Sequence, residues 1–176
     1  MPDPDRFPDI KLVPAARSEM KVMERLFQFY LYDFSQFVDL EIDQQGCFEY
    51  PSLDVYWQEP DRFPYFIEVE GKLAGFVLIK KGTGLDEDRE SYDVAEFFVL
   101  RGYRRQRVGT RSAHRIWDRF PGRWVVRVML VNQHAVEFWK KTIREYTGGE
   151  YQKWKITRDG YTWIVFRFSS PGVQSA

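Results

Sequence analysis

Val99-Leu100-Arg101-Gly102-Tyr103-Arg104-Arg105-Gln106-Arg107-Val108-Gly109-Thr110 is the stretch that decides how this chain is read. The apolar run Tyr92 to Leu100 predicts a strand leading into it. Arg107 to Phe120 predicts a helix leaving it, stopped by Pro121-Gly122. A strand, a short loop and a helix start together make an anion site from backbone N–H groups and the positive end of the helix dipole. Gly109 lets the first helical turn come close to such an anion. The Gly-Lys-Ser/Thr ending of a Walker loop is absent, and so is GxGxxG. By spacing alone, a solvated arginine-rich helix start fits the stretch as well.

Outward from this segment the chain alternates strands and helices. Ile10 to Val13 predicts a strand ended by Pro14, and Ser18 gives a partial helix start. Met20, Met23, Phe27, Tyr30, Leu31 and Phe34 fall at helical spacing, with a break expected near Asp33 to Ser35. Gln44 to Pro64, punctuated by Gly46, Pro51, Pro60 and Pro64, predicts a long loop with a helical turn at Leu53 to Trp57. Loops of that length are uncommon unless functional, so it is read as a lid or substrate-side segment. Tyr65 to Glu70 and Lys72 to Lys80 flank Gly71 as a hairpin, and Trp124 to Leu130 is a Val-rich strand. Asn132 is placed to cap a helix running to about Glu145, broken by Thr147-Gly148-Gly149. Glu150 to Thr157 and Tyr161 to Phe168 alternate around the turn pair Asp159-Gly160. The resulting order, βα(α)βββαβαββ, is an α/β (α+β) arrangement with a mixed sheet and helices on both faces. It is not a doubly wound Rossmann order.

Composition bounds what such a chain does. Its 176 residues carry 26 Lys plus Arg against 26 Asp plus Glu, so the formal charge is zero. An apolar share of 44% with 30% charged residues excludes a disordered chain and predicts one domain over residues 1–176. Zero net charge argues against a nucleic-acid coat or a membrane-surface protein. Leu73 to Ile79 and Tyr161 to Phe166 are too short to span a bilayer, and the Met-Pro-Asp-Pro-Asp start lacks a secretory pattern. One cysteine, Cys47, and two histidines, His114 and His134, leave little for a disulfide or a metal cluster. The expectation is a soluble, cytoplasmic domain without a metal site. The zero is unevenly spread. Arg101 to Arg127 holds nine arginines and one acid, whereas Asp39 to Glu70 holds nine acids and one base. A second acidic run, Asp86 to Glu96, follows. The planar guanidinium suits phosphate recognition better than lysine does.

The segment Val99 to Gly109 resembles the signature of the GNAT superfamily of acetyl-coenzyme A-dependent N-acetyltransferases. That signature is a β4 strand ending in Val, then x-x-x-Tyr-(Arg/Gln)-x-x-Gly-x-(Gly/Ala), then a helix. Downstream, Asn132-Gln-His-Ala135-Val-Glu-Phe138-Trp139 is similar to the family's Asn-x-x-Ala-x-x-(Phe/Leu)-Tyr element. The resemblance runs from about Ile10 to Phe168, nearest to bacterial members described simply as predicted acetyltransferases. It implies a GNAT fold with a central, mostly antiparallel sheet of about seven strands.

The resemblance also implies roles. Acetyl-CoA is the cosubstrate, and an amine, of a small molecule or a protein, is the acceptor. Phe97, Phe98 and Val99 hold the pantetheine arm, and a bulge near them splays the strand from its neighbour to open a slot. Backbone N–H groups of Arg104, Arg105, Gln106, Arg107, Val108, Gly109 and Thr110 cradle the pyrophosphate, and Asn132 contacts the cofactor. The Val99 N–H polarises the acetyl carbonyl, and many relatives pair as homodimers through their C-terminal strands. Two positions depart from the signature. Arg107 replaces a glycine, and Trp139 replaces a tyrosine that acts as a general acid, which indole cannot do. The proton then comes from water or from another residue such as Tyr146, or is not needed for rate. Glu96, three residues before Val99, matches a catalytic glutamate of some members and is the candidate base; strand alternation sets it on the face opposite Asp93. His134 is read as a surface residue, His114 as part of an exposed helix face, and Cys47 as an incidental thiol. The acid-rich segment 39–70 suits a cationic amine. Two other readings stay open: a GNAT-fold acyl-CoA-binding module without efficient chemistry, and, more weakly, a nucleic-acid binder.

Overall fold

In the computed structural model, which describes residues 8–50, 53–85 and 89–171, eleven elements follow the order read from the sequence. They are β1 (Ile10–Pro14), α1 (Met20–Phe34), α2 (Val55–Gln58), β2 (Arg62–Val69), β3 (Lys72–Lys81) and β4 (Tyr92–Val99), then α3 (Val108–Arg119), β5 (Gly122–Met129), α4 (Gln133–Thr147), β6 (Gln152–Arg158) and β7 (Tyr161–Ser170). Met1 to Asp5, Pro51 and the acids Asp86, Glu87 and Asp88 lie outside the described residues.

The strands form one sheet in the order β1-β2-β3-β4-β5-β7-β6, with β4 and β5 parallel and every other neighbouring pair antiparallel. Helices cover both faces because each helix is apolar along one stripe. Met23, Leu26, Phe27 and Leu31 of α1 recur at three- and four-residue steps and pack on Phe66, Phe76, Leu78 and Phe98. On the other face Val108, Ile116 and Trp117 of α3 join Val136, Trp139 and Ile143 of α4 over Val77, Trp124 and Phe166. Burying an aliphatic or Phe side chain of this kind stabilises the fold by roughly 1.5–3 kcal/mol.

Local details differ from the sequence expectation for physical reasons. Ser18 does not cap α1; the Glu19 carboxylate accepts from the Ala16 N–H at 2.9 Å instead. The helix runs unbroken through Asp33 and ends at Phe34. β2 begins at Arg62, three residues before Tyr65, and tolerates Pro64 because Ala15 O, the acceptor facing its missing N–H, takes the Trp57 Nε1–H at 2.8 Å instead.

β4 contains the irregularity that matters most. Leu78 of β3 faces Glu96, but the next residue, Ile79, faces Val94, so Ala95 is an extra residue in β4. The insertion resets the side-chain alternation. Val94 and Phe97 both join the core under α3 and α4, while Ala95 and Phe98 join the core under α1. Glu96 and Asp93 therefore share a face, correcting the placement expected from simple alternation.

Candidate active site

After the bulge, β4 and β5 part. Their parallel pairing covers only Tyr92↔Trp124, Asp93↔Val125 and Val94↔Val126, leaving the segment from Ala95 to Val99 without a registered partner on that side. On the other side it stays tied to β3: Leu100 donates to Ala74 O at 2.8 Å. Alternate residues of a ladder address opposite neighbours, so the N–H and C=O of Val99 point into the gap. The approach of β3 is unusually close. A Cβ built on Gly75 would stand 2.0 Å from Phe98 O, so the backbone at the end of β4 needs glycine opposite it. Phe97 borders the other side of the gap, 5.0 Å from the Trp139 ring.

The loop beyond β4 is built from strained arginines. Arg105 and Arg107 have φ of 62° and 60°, a region sparsely used by residues with a Cβ. Arg107 is thus not a helical residue, as the sequence suggested, but the left-handed residue before α3. Its side chain turns away to Glu145 of α4 instead of filling the loop. Turns of this hand fold successive N–H groups toward one concavity, the geometry of an anion nest. Among the described residues no acceptor is found for the N–H groups of Arg105 to Thr110. Gly109 lies against Phe138, where an added Cβ would come within 3.1 Å of the ring. The loop residues thus fit a diphosphate through main-chain donors.

Side chains of the same loop have other partners. Arg104 Nε donates to Val99 O at 2.7 Å, its Nη2 binds Asp33 Oδ2 at 2.5 Å, and its guanidinium lies 5.6 Å from the centre of the Phe98 ring. Arg101 binds the other Asp33 oxygen at 2.5 Å. Burial alone would raise the Asp33 carboxyl, but hydrogen bonds from Arg104 and Arg101 outweigh it and hold the group below its ordinary value. Asn132 caps α4 as expected, accepting from the Ala135 N–H at 3.1 Å.

Glu96 sits on the α1 face of the sheet, held by two tyrosines. Tyr30 of α1 donates to Oε2 at 2.5 Å, and Tyr50, from the long loop, donates to Oε1 at 3.0 Å. Burial pushes the Glu96 carboxyl above its usual range and Asp93 pushes the same way, while the two hydroxyls and Arg127 oppose. Burial also raises both tyrosines. The group is a carboxylate more basic than one in water, with hydroxyl donors to steady its charge. Asp93, fully buried, pairs with Arg127 and with Lys80, the latter at 3.5 Å.

Other residues singled out in the sequence lie elsewhere. Tyr146 stands two helical turns beyond Trp139, donating to Asp118 at 2.8 Å and sharing a 2.8 Å hydrogen bond with Ser170. Burial pushes it up to about 12. It is not brought to the gap. His114 is no exposed-face residue: its ring packs between Trp117 and Tyr146, with Nε2 3.0 Å from Thr142 O. His134 and Cys47 are exposed. The acidic segment is dispersed: Glu59 pairs with Arg62, Glu70 accepts from the Asp9 N–H, and Asp43 ties its own turn. Asp39 and Glu41 remain on an open groove of about 860 Å³ that also takes in Phe37, Phe48 and Tyr161. Among the described residues no three potential metal ligands gather, and no helix is long and apolar enough to cross a membrane.

Sequence reasoning missed Tyr30, Tyr50 and Asp33. Tyr30 hid in the apolar stripe of α1, and Tyr50 carried no local signal. Asp33 followed that stripe as the acid where a break was expected.

The family model described as "Acetyltransferase (GNAT) family" matches residues 23–143, which takes in most of α1, the gap, the loop and most of α4. No curated protein matches the chain in sequence. Among solved structures, an acetyltransferase from Thermus thermophilus superposes with a TM-score of 0.66 at 13% identity, covering 91% of this chain and 96% of that one. The spermidine N-acetyltransferase from Vibrio cholerae, solved with CoA and spermine, gives 0.63 at 12% identity over 92% and 95%. The ribosomal-protein-S18-alanine N-acetyltransferase from Escherichia coli gives 0.60 at 10% identity over 94% and 97%. These likenesses establish the fold. The family model, which spans the splayed strand and the loop that follows it, shows that the chain belongs to the GNAT acetyltransferase family and is an acyltransferase.

Proposed function

We propose that this protein transfers the acetyl group of acetyl-CoA to a primary amine by direct attack in a ternary complex. The observation that carries the reading is the parting of β4 from β5 beside Glu96, with the Val99 N–H directed into the gap. Main-chain N–H groups from Arg105 to Thr110 hold the pyrophosphate, the Arg104 N–H being taken by Arg101 O at 3.2 Å. Asn132 adds a contact from the start of α4, and the main chain of Phe97 and Val99 pairs with the pantetheine arm, that of Phe98 being turned to β3. The Val99 N–H stabilises the oxyanion that forms when the amine nitrogen adds to the thioester carbonyl carbon. Glu96 takes the proton that the nitrogen must lose, its raised basicity fitting that task. The C–S bond then breaks, and coenzyme A leaves as a thiolate.

Trp139 supplies no proton, and Tyr146 is committed to Asp118 and Ser170. A thiolate of ordinary acidity, with a pKa of about 8.5, leaves without prior protonation. Asp39 and Glu41 on the groove extend the reading to a cationic amine, attracted before it reaches Glu96. The absence of a tyrosine at Trp139 favours a second reading, a cofactor-binding module with little turnover.

Acetyl-CoA-dependent thiol release across an amine panel decides between them. Turnover that falls by about 10²–10⁴ in Glu96→Gln, with acetyl-CoA binding intact, supports the enzyme and its base. Cofactor binding without release for any amine supports the module.

A further inference from the structure

Phe48, in the long loop after α1, is bonded on two sides. On one it bridges Ile42 antiparallel, and the ladder hydrogen bond runs between the flanking residues, Asp43 N to Cys47 O at 2.8 Å. In a bridge of that kind the N–H and C=O of Phe48 itself point away from Ile42. They point to α1, where Gln28 takes both. The Phe48 N–H donates to Gln28 Oε1 at 2.8 Å, and Gln28 Nε2 donates to Phe48 O at 3.2 Å. One side-chain amide thus stands in for a third strand, which only a group carrying both a donor and an acceptor can do. Two residues on, the Tyr50 ring centre lies 4.4 Å from that of Phe27, and its hydroxyl donates to Glu96 Oε1 at 3.0 Å. Phe27, Gln28 and Tyr30 of α1 therefore hold, in turn, the Tyr50 ring, the main chain leading to it, and the other oxygen of Glu96.

We propose that Gln28 is a positioning residue for Glu96: by gripping the Phe48 main chain it aims the Tyr50 hydroxyl at the carboxyl, so that α1 and the long loop act on the base as one unit. The inference rests on the proposed acetyl transfer, in which Glu96 takes the amine proton. Tyr50 needs such a hold. It is exposed and belongs to a loop, whereas Tyr30 is fixed by its helix. An exposed hydroxyl on an untethered loop exchanges its partner for water, and ordering it costs conformational entropy. Burial of the hydroxyl and the nearby Glu96 charge keep Tyr50 protonated, so it remains a donor. The other groups acting on Glu96 do not depend on Gln28. Tyr30 comes from α1 itself, Asp93 lies on β4 with Lys80 of β3, and Arg127 lies on β5. Tyr56 of α2, whose ring carries the Arg62 guanidinium of β2, is anchored through its neighbour Trp57, whose Nε1–H donates to Ala15 O. Phe48 also lines the groove that carries Asp39 and Glu41, so the same clamp joins the groove wall to the base.

The experiment compares the full-length wild type with Gln28→Met, Tyr50→Phe and the double variant, each checked for melting temperature. Methionine keeps the length of the side chain and removes the amide; Gln28→Leu serves if Gln28→Met does not fold. The pH profile of kcat/KM for the amine and the carbon NMR titration of the Glu96 side chain are recorded on each. Tyr50→Phe removes a donor that favours the ionised carboxyl, so the acid limb moves to higher pH, by about one unit for a hydrogen bond to a charged group from a partly exposed donor. Gln28→Met moves it the same way, by no more than that. The double variant matches Tyr50→Phe alone, because the clamp reaches Glu96 only through Tyr50. A limb that stays in place in either single variant overturns the inference, even where rate or melting temperature falls. A Gln28→Met shift that persists in the Tyr50→Phe background overturns it too, since Gln28 then acts by another path. If the wild type turns over no amine, the acetyl-transfer reading fails separately, and the Glu96 titration in the same four proteins still decides whether Gln28 acts on it.

Discussion

Tyr30 on α1 donates a 2.5 Å hydrogen bond to Oε2 of Glu96 on β4, across 66 residues of sequence. The bond opposes the burial that raises Glu96, so removing it lets the carboxyl rise further. Tyr30→Phe should therefore move the acid limb of the kcat/KM profile to higher pH and lower activity near neutrality. A hydrogen bond to a charged group is worth about 1.5–3 kcal/mol, which corresponds to an activity loss of roughly ten- to a hundredfold on the acid limb, where the ionised form is scarce, and to a smaller loss at higher pH. A profile that does not move would show that Glu96 is not the group titrating.

The same carboxyl works against stability. Its folded pKa lies above the unfolded one, so the folded state holds the proton longer. Stability is then lost as pH rises through the folded value, and the deficit persists at neutral pH. Glu96→Gln should melt at an equal or higher temperature than wild type at pH 7. That advantage should shrink as pH falls through the folded carboxyl's raised value and be gone below about 4, the unfolded carboxyl range. Thermal scans across pH check the sign, and a clear loss of stability at pH 7 would contradict it.

Asp93 neutralises two half-buried cations, Lys80 and Arg127, from a fully buried position. Asp93→Ala leaves both without their counter-charge, and breaking a buried pair costs about 3–5 kcal/mol. Solvent reaching the two cations places the expected loss in urea unfolding at the lower end of that range.

Gly75→Ala tests the close approach of β3 and β4. With its new Cβ 2.0 Å from Phe98 O, one strand must shift. The expected outcome is a destabilisation of about 1–3 kcal/mol together with a raised acetyl-CoA KM, because the displaced backbone is the one facing the pantetheine arm. Melting curves and acetyl-CoA kinetics on one preparation read both effects.

Much of this is legible in the sequence. Recurrent apolar residues from Met20 to Phe34 mark α1, and Asp159-Gly160 marks the last hairpin, both through rules that act within a few residues. What escaped depended on contacts between distant segments. Nothing local announces that Ala95 is an extra residue, since a bulge is defined only against its partner strand. Reading straight alternation through it put Asp93 and Glu96 on opposite faces. The left-handed turn at Arg107 was masked for a related reason: a non-glycine there is held by its surroundings, including Glu145 of α4, and not by its own preference. Tyr50 reaches Glu96 only because a long loop folds back.

The extra residue at Ala95 also bears on how such a protein can vary. One backbone irregularity both turns Glu96 toward the tyrosines and releases β4 from β5. Deleting Ala95 would straighten β4 and let it pair further along β5, yet Glu96, then next to Val94, would keep its α1 face. Straightening the strand at its present length would instead carry Glu96 to the face of Val94, under α3 and α4. The opening thus depends on the extra residue itself, and the direction of the base on where the strand accommodates it.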